Sequence, residues 1–181
     1  MRIIGGKYRS RLLLAPKGMQ TRPTLDQVRE ALFNILQGQT EGIEMLDLYG
    51  GSGAVALEAI SRGAQNAVIC DQSREAAAVI RKNAASLACQ EQVTILQMKD
   101  DAALSVLERE QRSFDLIFLD PPYRMDVSDV LARIGSGSLL RPGGRLIREH
   151  AASDTVPEPS GLRLVSTRKY RDTCLTFYEK L

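Results

Sequence analysis

The sequence has no tryptophan, one histidine (His150) and three cysteines, and each shortage excludes a class of protein. The cysteines are odd in number and far apart, so neither a disulfide framework nor a His/Cys zinc site is expected. A single histidine, expected at the surface, leaves most Ser–His and Cys–His catalysis without its base. Any chemistry must depend on carboxylates, backbone amides or a cofactor, and no metal site is predicted.

Long hydrophobic runs are also missing. No apolar segment approaches the roughly 18 residues of a membrane span, and the first residues lack the apolar run of a signal peptide. Together with unpaired thiols, these features predict a cytoplasmic protein without membrane contact. The 181 residues fit a single domain, at roughly 100–200 residues per domain.

Acidic residues are absent from the first 24 positions, which hold six basic ones. These six charges exceed the net charge of +2 of the whole chain, so the remainder is net acidic. A basic segment on an acidic body predicts an arm that binds a polyanion such as nucleic acid. The residues assigned to this contact are Arg2, Lys7, Arg9, Arg11 and Arg22.

Hydrophobic periodicity predicts strands and helices that alternate along most of the chain. A hairpin is expected over 1–15, and a capping box at Thr24 begins a helix that ends near Gly38. The predicted strands are 43–49, 67–70, 93–98, 116–119, 145–149, 162–170 and 173–180. The predicted helices between them are one that carries Val55, Leu57, Ala59 and Ile60, and those over 73–87, 102–110 and 126–134.

This order predicts an α/β fold with a doubly wound, mostly parallel seven-stranded sheet. The closing pair of strands supplies one antiparallel member. We expect one domain over 1–181, divided into a basic hairpin-plus-helix extension (1–38) and a Rossmann-like core (39–181). Ligands of such sheets bind beyond the carboxyl ends of the strands.

A glycine-rich turn follows the first strand of the sheet. Gly51 and Gly53, with Ala56, fit the dinucleotide-binding pattern, and the next helix offers unpaired N–H groups to an anion. Asp71 closes the second strand at the spacing of a ribose-binding acid. Fold and pattern therefore allow either NAD or S-adenosylmethionine.

Two carboxylate positions favour S-adenosylmethionine. Asp47 lies before the glycines, where it can face the ammonium group of a methionine moiety. Asp100 and Asp101 follow the third strand, where one carboxylate can accept the amino proton of adenine. The residues assigned to the cofactor are Asp47, Tyr49, Gly51, Ser52, Gly53, Asp71, Asp101 and Ala102.

The motif Asp120-Pro121-Pro122-Tyr123 follows a strand expected to be buried on both faces. Two prolines fix the local backbone, so a carboxylate and free carbonyls point away from any ladder. Such a loop can hold a planar amine between the Asp120 carboxylate and the Pro121 carbonyl, while Tyr123 stacks on the base. These four residues are the candidate catalytic residues.

The motif resembles the signature of S-adenosylmethionine-dependent enzymes that methylate exocyclic or amide nitrogens. Further segments, spread over the whole chain, resemble the bacterial RsmD family. They are 1–7, 22–24, 28–34, 46–48, 51–54, 57–59, 61–64, 114–123 and 142–144. The chain departs from the family at Tyr49-Gly50, where members usually have Phe-Ala, and over 169–173, so no RNA contact is assigned there.

The resemblance implies a methyltransferase that acts on N2 of guanine 966 in 16S rRNA, within the small ribosomal subunit or its assembly intermediate. It places Asp47, Gly51, Gly53, Asp71 and Asp101 at the cofactor, and residues 120–123 at the target base. Four alternatives stay open: a DNA adenine methyltransferase, a methylase of protein glutamine, an NAD-dependent oxidoreductase, and an RNA-binding module without catalysis.

Overall fold

A computed structural model describes residues 1–18 and 23–181, with the backbone alone over 23–25. The helices are α1 (Pro23–Ile35), α2 (Ala54–Ser61), α3 (Arg74–Ser86), α4 (Asp100–Arg109) and α5 (Ser128–Ser136). The strands are β1 (Glu44–Asp47), β2 (Asn66–Cys70), β3 (Val93–Leu96), β4 (Phe114–Leu119), β5 (Leu140–Ala151), β6 (Leu162–Tyr170) and β7 (Thr173–Lys180). The predicted alternation of strands and helices is confirmed.

The seven strands form one sheet in the order β3-β2-β1-β4-β5-β7-β6. β1 pairs in parallel with both β2 and β4, whereas β7 runs antiparallel to β5 and β6. The doubly wound, mostly parallel sheet with one antiparallel strand is therefore confirmed. From β1 the chain adds strands first on one side of the sheet (β2, β3) and then on the other (β4, β5), so the topological switch point lies between β1 and β4. A ligand crevice is expected at the carboxyl ends of these two strands.

Hydrophobic residues cover both faces of the sheet. On one face, the N-terminal segment packs with α1, α2 and α3 against Met45, Ile69 and Phe118. On the other face, α4 and α5 pack against Leu46 and Ile117. Successive side chains of a strand point to opposite faces of the sheet, so neighbouring residues such as Met45 and Leu46 pack in different layers. Within the described ranges, no helix has the length and hydropathy of a transmembrane span.

Three local predictions were wrong. β5 begins five residues before the predicted strand, because the turn at Gly143 (φ +75°) is accommodated as an irregularity in the pairing of β4 with β5. α4 begins two residues early, so Asp100 and Asp101 lie in its first turn, where acids complement the helix dipole. His150 is buried within β5, and its Nε2 lies 2.7 Å from Thr176 Oγ1.

The predicted capping role of the Thr24 side chain lies outside the described residues, as does all of Arg22. Ser73, where the predicted helix 73–87 begins, caps α3, since its hydroxyl accepts the Ala76 N–H at 3.2 Å. The hairpin over 1–15 is reduced to one bridge between Arg2 and Leu12. The division at residue 38 stays a prediction.

Glu58 attaches the N-terminal segment to α2. Its buried carboxylate accepts the backbone N–H groups of Ile4 and Gly5, each at 2.8 Å, and the Nε–H of Arg62 at 2.8 Å. At Gly6 (φ +77°), a side chain would meet the Ser61 carbonyl at 1.9 Å. The segment therefore lies against α2 with little room for change.

Glu58→Ala should destabilise the protein by about 3–5 kcal/mol, because it leaves three buried or half-buried donors without their acceptor. The free energy of unfolding in urea measures the effect. Glu30→Ala, on the exposed side of α1, is the matched control and should change stability by less than about 0.5 kcal/mol. Equal stability of the two variants would contradict an anchoring role for Glu58.

Candidate active site

Three cavities meet at the carboxyl edge of the sheet. The adenosine-side cavity, of about 560 Å³, is bounded by the residues that follow β1, β2, β3 and β4. The inner cavity, of about 80 Å³, lies between α1 and the glycine loop. The outer cavity, of about 320 Å³, lies between the 120–125 loop and the end of β5. Asp120 lines all three cavities, so one carboxylate faces every compartment of the site.

The glycine loop turns tightly between β1 and α2. Gly50 N–H bonds to the Cys70 carbonyl at 2.8 Å, and Gly53 (φ +78°) precedes the first residue of α2. A Cβ at Gly50 would lie 2.3 Å from Ile69 Cγ2, so the close packing of the loop against β2 favours glycine at this position. Gly51 lines both the adenosine-side and the inner cavity. Ser52 lines the inner cavity alone.

Asp71 lies directly after β2 and holds the glycine loop. One carboxylate oxygen accepts the Gly51 N–H at 2.9 Å, and the other accepts the Ser73 N–H at 2.8 Å. The side chain still lines the adenosine-side cavity, where its remaining lone pairs can accept hydroxyl protons. Asp71 therefore stands where a ribose-binding acid was predicted.

The neighbouring carboxylates Asp100 and Asp101 point in different directions. Asp100 lines the adenosine-side cavity, and its Oδ2 accepts a hydrogen bond from the Tyr49 hydroxyl at 2.7 Å. Asp101 instead forms an ion pair with Arg133 of α5 at 2.6 Å and is 87% exposed. Ala102, one residue further on, does not line the cavity either. The structure therefore places Asp100, rather than Asp101 and Ala102, beside the other predicted cofactor residues.

The inner cavity contains two buried polar atoms without a partner among the described residues: Asp47 Oδ1 and Arg29 Nε. Burial, together with repulsion from the nearby carboxylate of Asp120, raises the pKa of Asp47 to about 7. Backbone N–H groups of Tyr49 and Ala56 act in the opposite direction. Asp47 thus keeps one unpartnered acceptor atom and Arg29 one unpartnered donor atom, a combination that suits a zwitterion.

Arg29 was assigned no role by sequence reasoning. It is 4% exposed, donates to the Arg2 carbonyl at 2.6 Å, and forms an ion pair with Asp26 at 3.0 Å. Arg29 lies on the buried side of α1, beside the core residues Val28 and Leu32. A charged residue among core positions needs a partner, and this pattern could have indicated a binding role from the sequence. Glu149 was also missed, although it ends a predicted strand at the ligand-binding edge.

The loop after β4 presents its polar groups to the cavities. The Pro122 carbonyl accepts the Met125 N–H at 3.0 Å, whereas no backbone N–H of the described residues donates to the Pro121 carbonyl. Tyr123 is 77% exposed beside the outer cavity, and the Arg124 guanidinium lies 5.2 Å from its ring centre. Desolvation by the surrounding protein raises the pKa of Asp120 to about 6, although its side chain is open to the cavities. The four candidate catalytic residues are thus brought together.

The basic arm lies beside the site but extends away from it. Arg2, Lys7, Arg9 and Arg11 are exposed, with Arg2 next to the inner cavity through its contact with Arg29. Lys7 N–H bonds to the carbonyl of Ser61 at the far end of α2, roughly 12 Å along the helix from Gly53. Arg11 donates to the Ser86 carbonyl at 2.6 Å.

Comparisons with known proteins agree with this geometry. A family model described as "Conserved hypothetical protein 95" matches residues 1–179. YlbH of Bacillus subtilis, named a candidate rRNA methyltransferase, is 33% identical over 99% of each chain. The Escherichia coli protein named ribosomal RNA small subunit methyltransferase D is 37% identical over 68% of this chain and 61% of its own length.

Solved structures share the fold. The Escherichia coli protein yhhF, described as a methyltransferase, has a TM-score of 0.84 at 29% identity and covers 99% of this chain and 97% of its own. A structure solved in complex with S-adenosylhomocysteine shares the fold at a TM-score of 0.70 and 16% identity, over 84% of this chain and 48% of its own.

The sheet order, the glycine loop and the Asp-Pro-Pro-Tyr loop together define an S-adenosylmethionine-dependent methyltransferase with the class I fold. The relatives narrow this class to rRNA methylation, which favours this function over the DNA, protein, oxidoreductase and non-catalytic alternatives. The chain belongs to the RsmD family, the family of ribosomal RNA small subunit methyltransferase D.

Proposed function

We propose that the protein methylates the exocyclic N2 amine of a guanine in 16S rRNA, at the position corresponding to guanine 966, in the small ribosomal subunit or its assembly intermediate. The observation that carries the proposal is the position of Asp120, which faces the adenosine-side, inner and outer cavities at once. A carboxylate at this position can contact a target amine in the outer cavity while it borders the two cavities proposed for the methyl donor. The proposed substrate places the reaction in the cytoplasm.

The residues of two connected cavities fit S-adenosylmethionine. Asp71 and Asp100 offer acceptors for ribose hydroxyls and the adenine amine in the adenosine-side cavity. In the inner cavity, Asp47 suits the ammonium group and Arg29 suits the carboxylate of the methionine moiety, because each has a buried atom without a partner among the described residues. When bound, this cofactor supplies an electrophilic methyl group on a sulfonium.

The protein's own contribution to the transfer is positioning. An aromatic amine is a weak nucleophile, and holding it in a near-attack geometry can remove roughly 7–11 kcal/mol of the barrier. Asp120 and the Pro121 carbonyl accept one amine N–H each, which fixes the orientation of the nitrogen lone pair. The Asp120 carboxylate also stabilises the positive charge that develops on the nitrogen. Stacking on Tyr123 offsets the few kcal/mol needed to unstack the base.

The affinity for S-adenosylmethionine should fall roughly tenfold between pH 7.5 and pH 6. The pKa of Asp47 is raised to about 7, so lowering the pH protonates the carboxylate that accepts the ammonium group. Isothermal titration across this range measures the dissociation constant. Asp47→Asn should bind more weakly at pH 7.5 and show a flatter profile; a wild-type affinity independent of pH would contradict the ammonium contact.

Neutralising the arm with Arg9→Gln and Arg11→Gln should weaken RNA binding and flatten its salt dependence. Removing one phosphate contact should reduce the slope of log K against log [salt] by roughly 0.7–0.9. Filter binding of 16S rRNA at several salt concentrations measures the slope. Arg109→Gln, an exposed change on the opposite face, should leave the slope unchanged. If Arg9→Gln and Arg11→Gln give the same salt slope as the wild type, the arm is not part of the RNA interface.

The proposed function is tested with small subunits from cells lacking the gene, incubated with methyl-labelled S-adenosylmethionine. Labelled N2-methylguanosine, mapped to guanine 966 and absent with Asp120→Ala, is expected. Duplex DNA and subunits with that guanine substituted are the controls. A different labelled nucleoside, or label in DNA alone, would overturn the proposal.

A further inference from the structure

Glu149 is the second carboxyl group of the target site, and the proposed methyl transfer assigns it no role. In the pairing of β4 with β5, Leu119 lies opposite Arg148, so Asp120, directly after β4, and Glu149, within β5, lie side by side. Adjacent strands are about 4.8 Å apart. Glu149 lines the inner and outer cavities together with Asp120. The two carboxyl groups therefore face the same space.

The charges around Glu149 favour its neutral form. Burial and the repulsion of the Asp120 carboxylate together raise the pKa of Glu149 to about 8. The other charged and titratable groups of its two cavities are Asp26, Arg29, Asp47, Tyr49, Tyr123, Arg124, His150, Asp154 and Asp172. Two neighbouring carboxyl groups in one buried site favour a singly protonated pair, and the larger upward shift in pKa assigns the proton to Glu149.

A neutral carboxyl group is one donor and one acceptor side by side. The Watson–Crick edge of guanine presents, beside its N2 amine, an N1–H donor and an O6 acceptor. We propose that Glu149 reads the target base, accepting N1–H with its carbonyl oxygen and donating its hydroxyl proton to O6, while Asp120 holds the N2 amine. Adenine has no donor next to its amine, so the pair of contacts selects guanine. The inference rests on the proposed guanine-N2 reaction.

Two substitutions separate this role from a structural one. Glutamine carries the same donor and acceptor as a neutral glutamic acid, so Glu149→Gln should keep kcat/KM within about threefold at pH 7. Glu149→Ala removes both contacts and should reduce kcat/KM about 5- to 150-fold, the range for a bidentate base contact. Asp172→Asn, an exposed carboxylate at the rim of the outer cavity, is the matched control and should match the wild type.

The pH dependence of kcat/KM between pH 7 and 8.5 supplies a readout that a structural role would not move. The wild type should lose activity as Glu149 ionises and can no longer donate to O6, whereas Glu149→Gln should keep its activity over this range. Titration of each variant with S-adenosylmethionine and thermal melting show whether it is folded. Unfolding of Glu149→Ala would leave the comparison of Glu149→Gln with the wild type as the deciding measurement.

The failures are distinguishable. Wild-type product other than N2-methylguanosine would overturn the proposed function and the base-reading role together. With N2-methylguanosine as product, full activity of Glu149→Ala, or a pH profile shared by the wild type and Glu149→Gln, would overturn the role of Glu149 alone.

Discussion

Asp120→Ala is expected to reduce the rate of methyl transfer at saturating substrate by at least about 10³-fold while changing the affinity for S-adenosylmethionine less than about threefold. The carboxylate both orients the amine and stabilises the charge on its nitrogen, and contributions of this kind reach about 10²–10⁴-fold. Cofactor affinity depends on other side chains, chiefly Asp47, Asp71 and Asp100, which line the two donor cavities.

The measurement is single-turnover transfer to unmodified small subunits at pH 7, where Asp120, whose pKa is raised to about 6, is mostly ionised in the wild type. Asp120→Asn keeps one acceptor and the shape of the loop, and it should lose less than the alanine variant. Removing the carboxylate also relieves its repulsion of Asp47, so cofactor binding should not weaken. Normal turnover by Asp120→Ala would contradict the mechanism.

The parts of the site that were predictable are those that follow from strand ends. Asp47, Asp71 and Asp120 each end or follow a strand whose apolar run is visible in the sequence. Because parallel strands share one carboxyl edge, the convergence of these three residues could be inferred from the sequence alone. Glu149 satisfied the same rule, and it was missed because no motif accompanies it.

The choice between Asp100 and Asp101 was not predictable. Successive residues of a helix point about 100° apart, so the start of α4 determines which carboxylate faces the cavity. Sequence patterns placed that start two residues late. The decisive partner, Arg133, comes from α5 and is 32 residues away in the chain. Tertiary contacts of this kind leave no mark on local periodicity.

The basic arm was likewise predictable in part. Its charge was evident from the sequence, but its course was not. The course depends on Glu58, a buried acid of α2 that accepts the arm's backbone N–H groups. A glutamate within an apolar helical segment resembles an ordinary surface residue until the arm is seen to cover it.

Asp71→Ala should have the reverse effect of Asp120→Ala, weakening S-adenosylmethionine binding roughly 10- to 150-fold while sparing the rate once the cofactor is saturating. Hydrogen bonds to a charged acceptor contribute about 1.5–3 kcal/mol, and Asp71 is proposed to hold the ribose while it also holds Gly51 N–H. Isothermal titration gives the dissociation constant, and transfer at saturating cofactor gives the rate.

Gln72→Ala is the matched control, because Gln72 lines the same cavity beside Asp71 and accepts no backbone N–H of the glycine loop. It should change the dissociation constant by less than about threefold. Asp71→Asn has one carbonyl oxygen where the aspartate has two acceptors, so it cannot serve both Gly51 and Ser73 and should fall between the wild type and the alanine variant. If Asp71→Ala instead lowers the rate at saturating cofactor, the glycine loop positions the reacting groups as well as the ribose, and cofactor binding and positioning are not separable at this edge of the sheet.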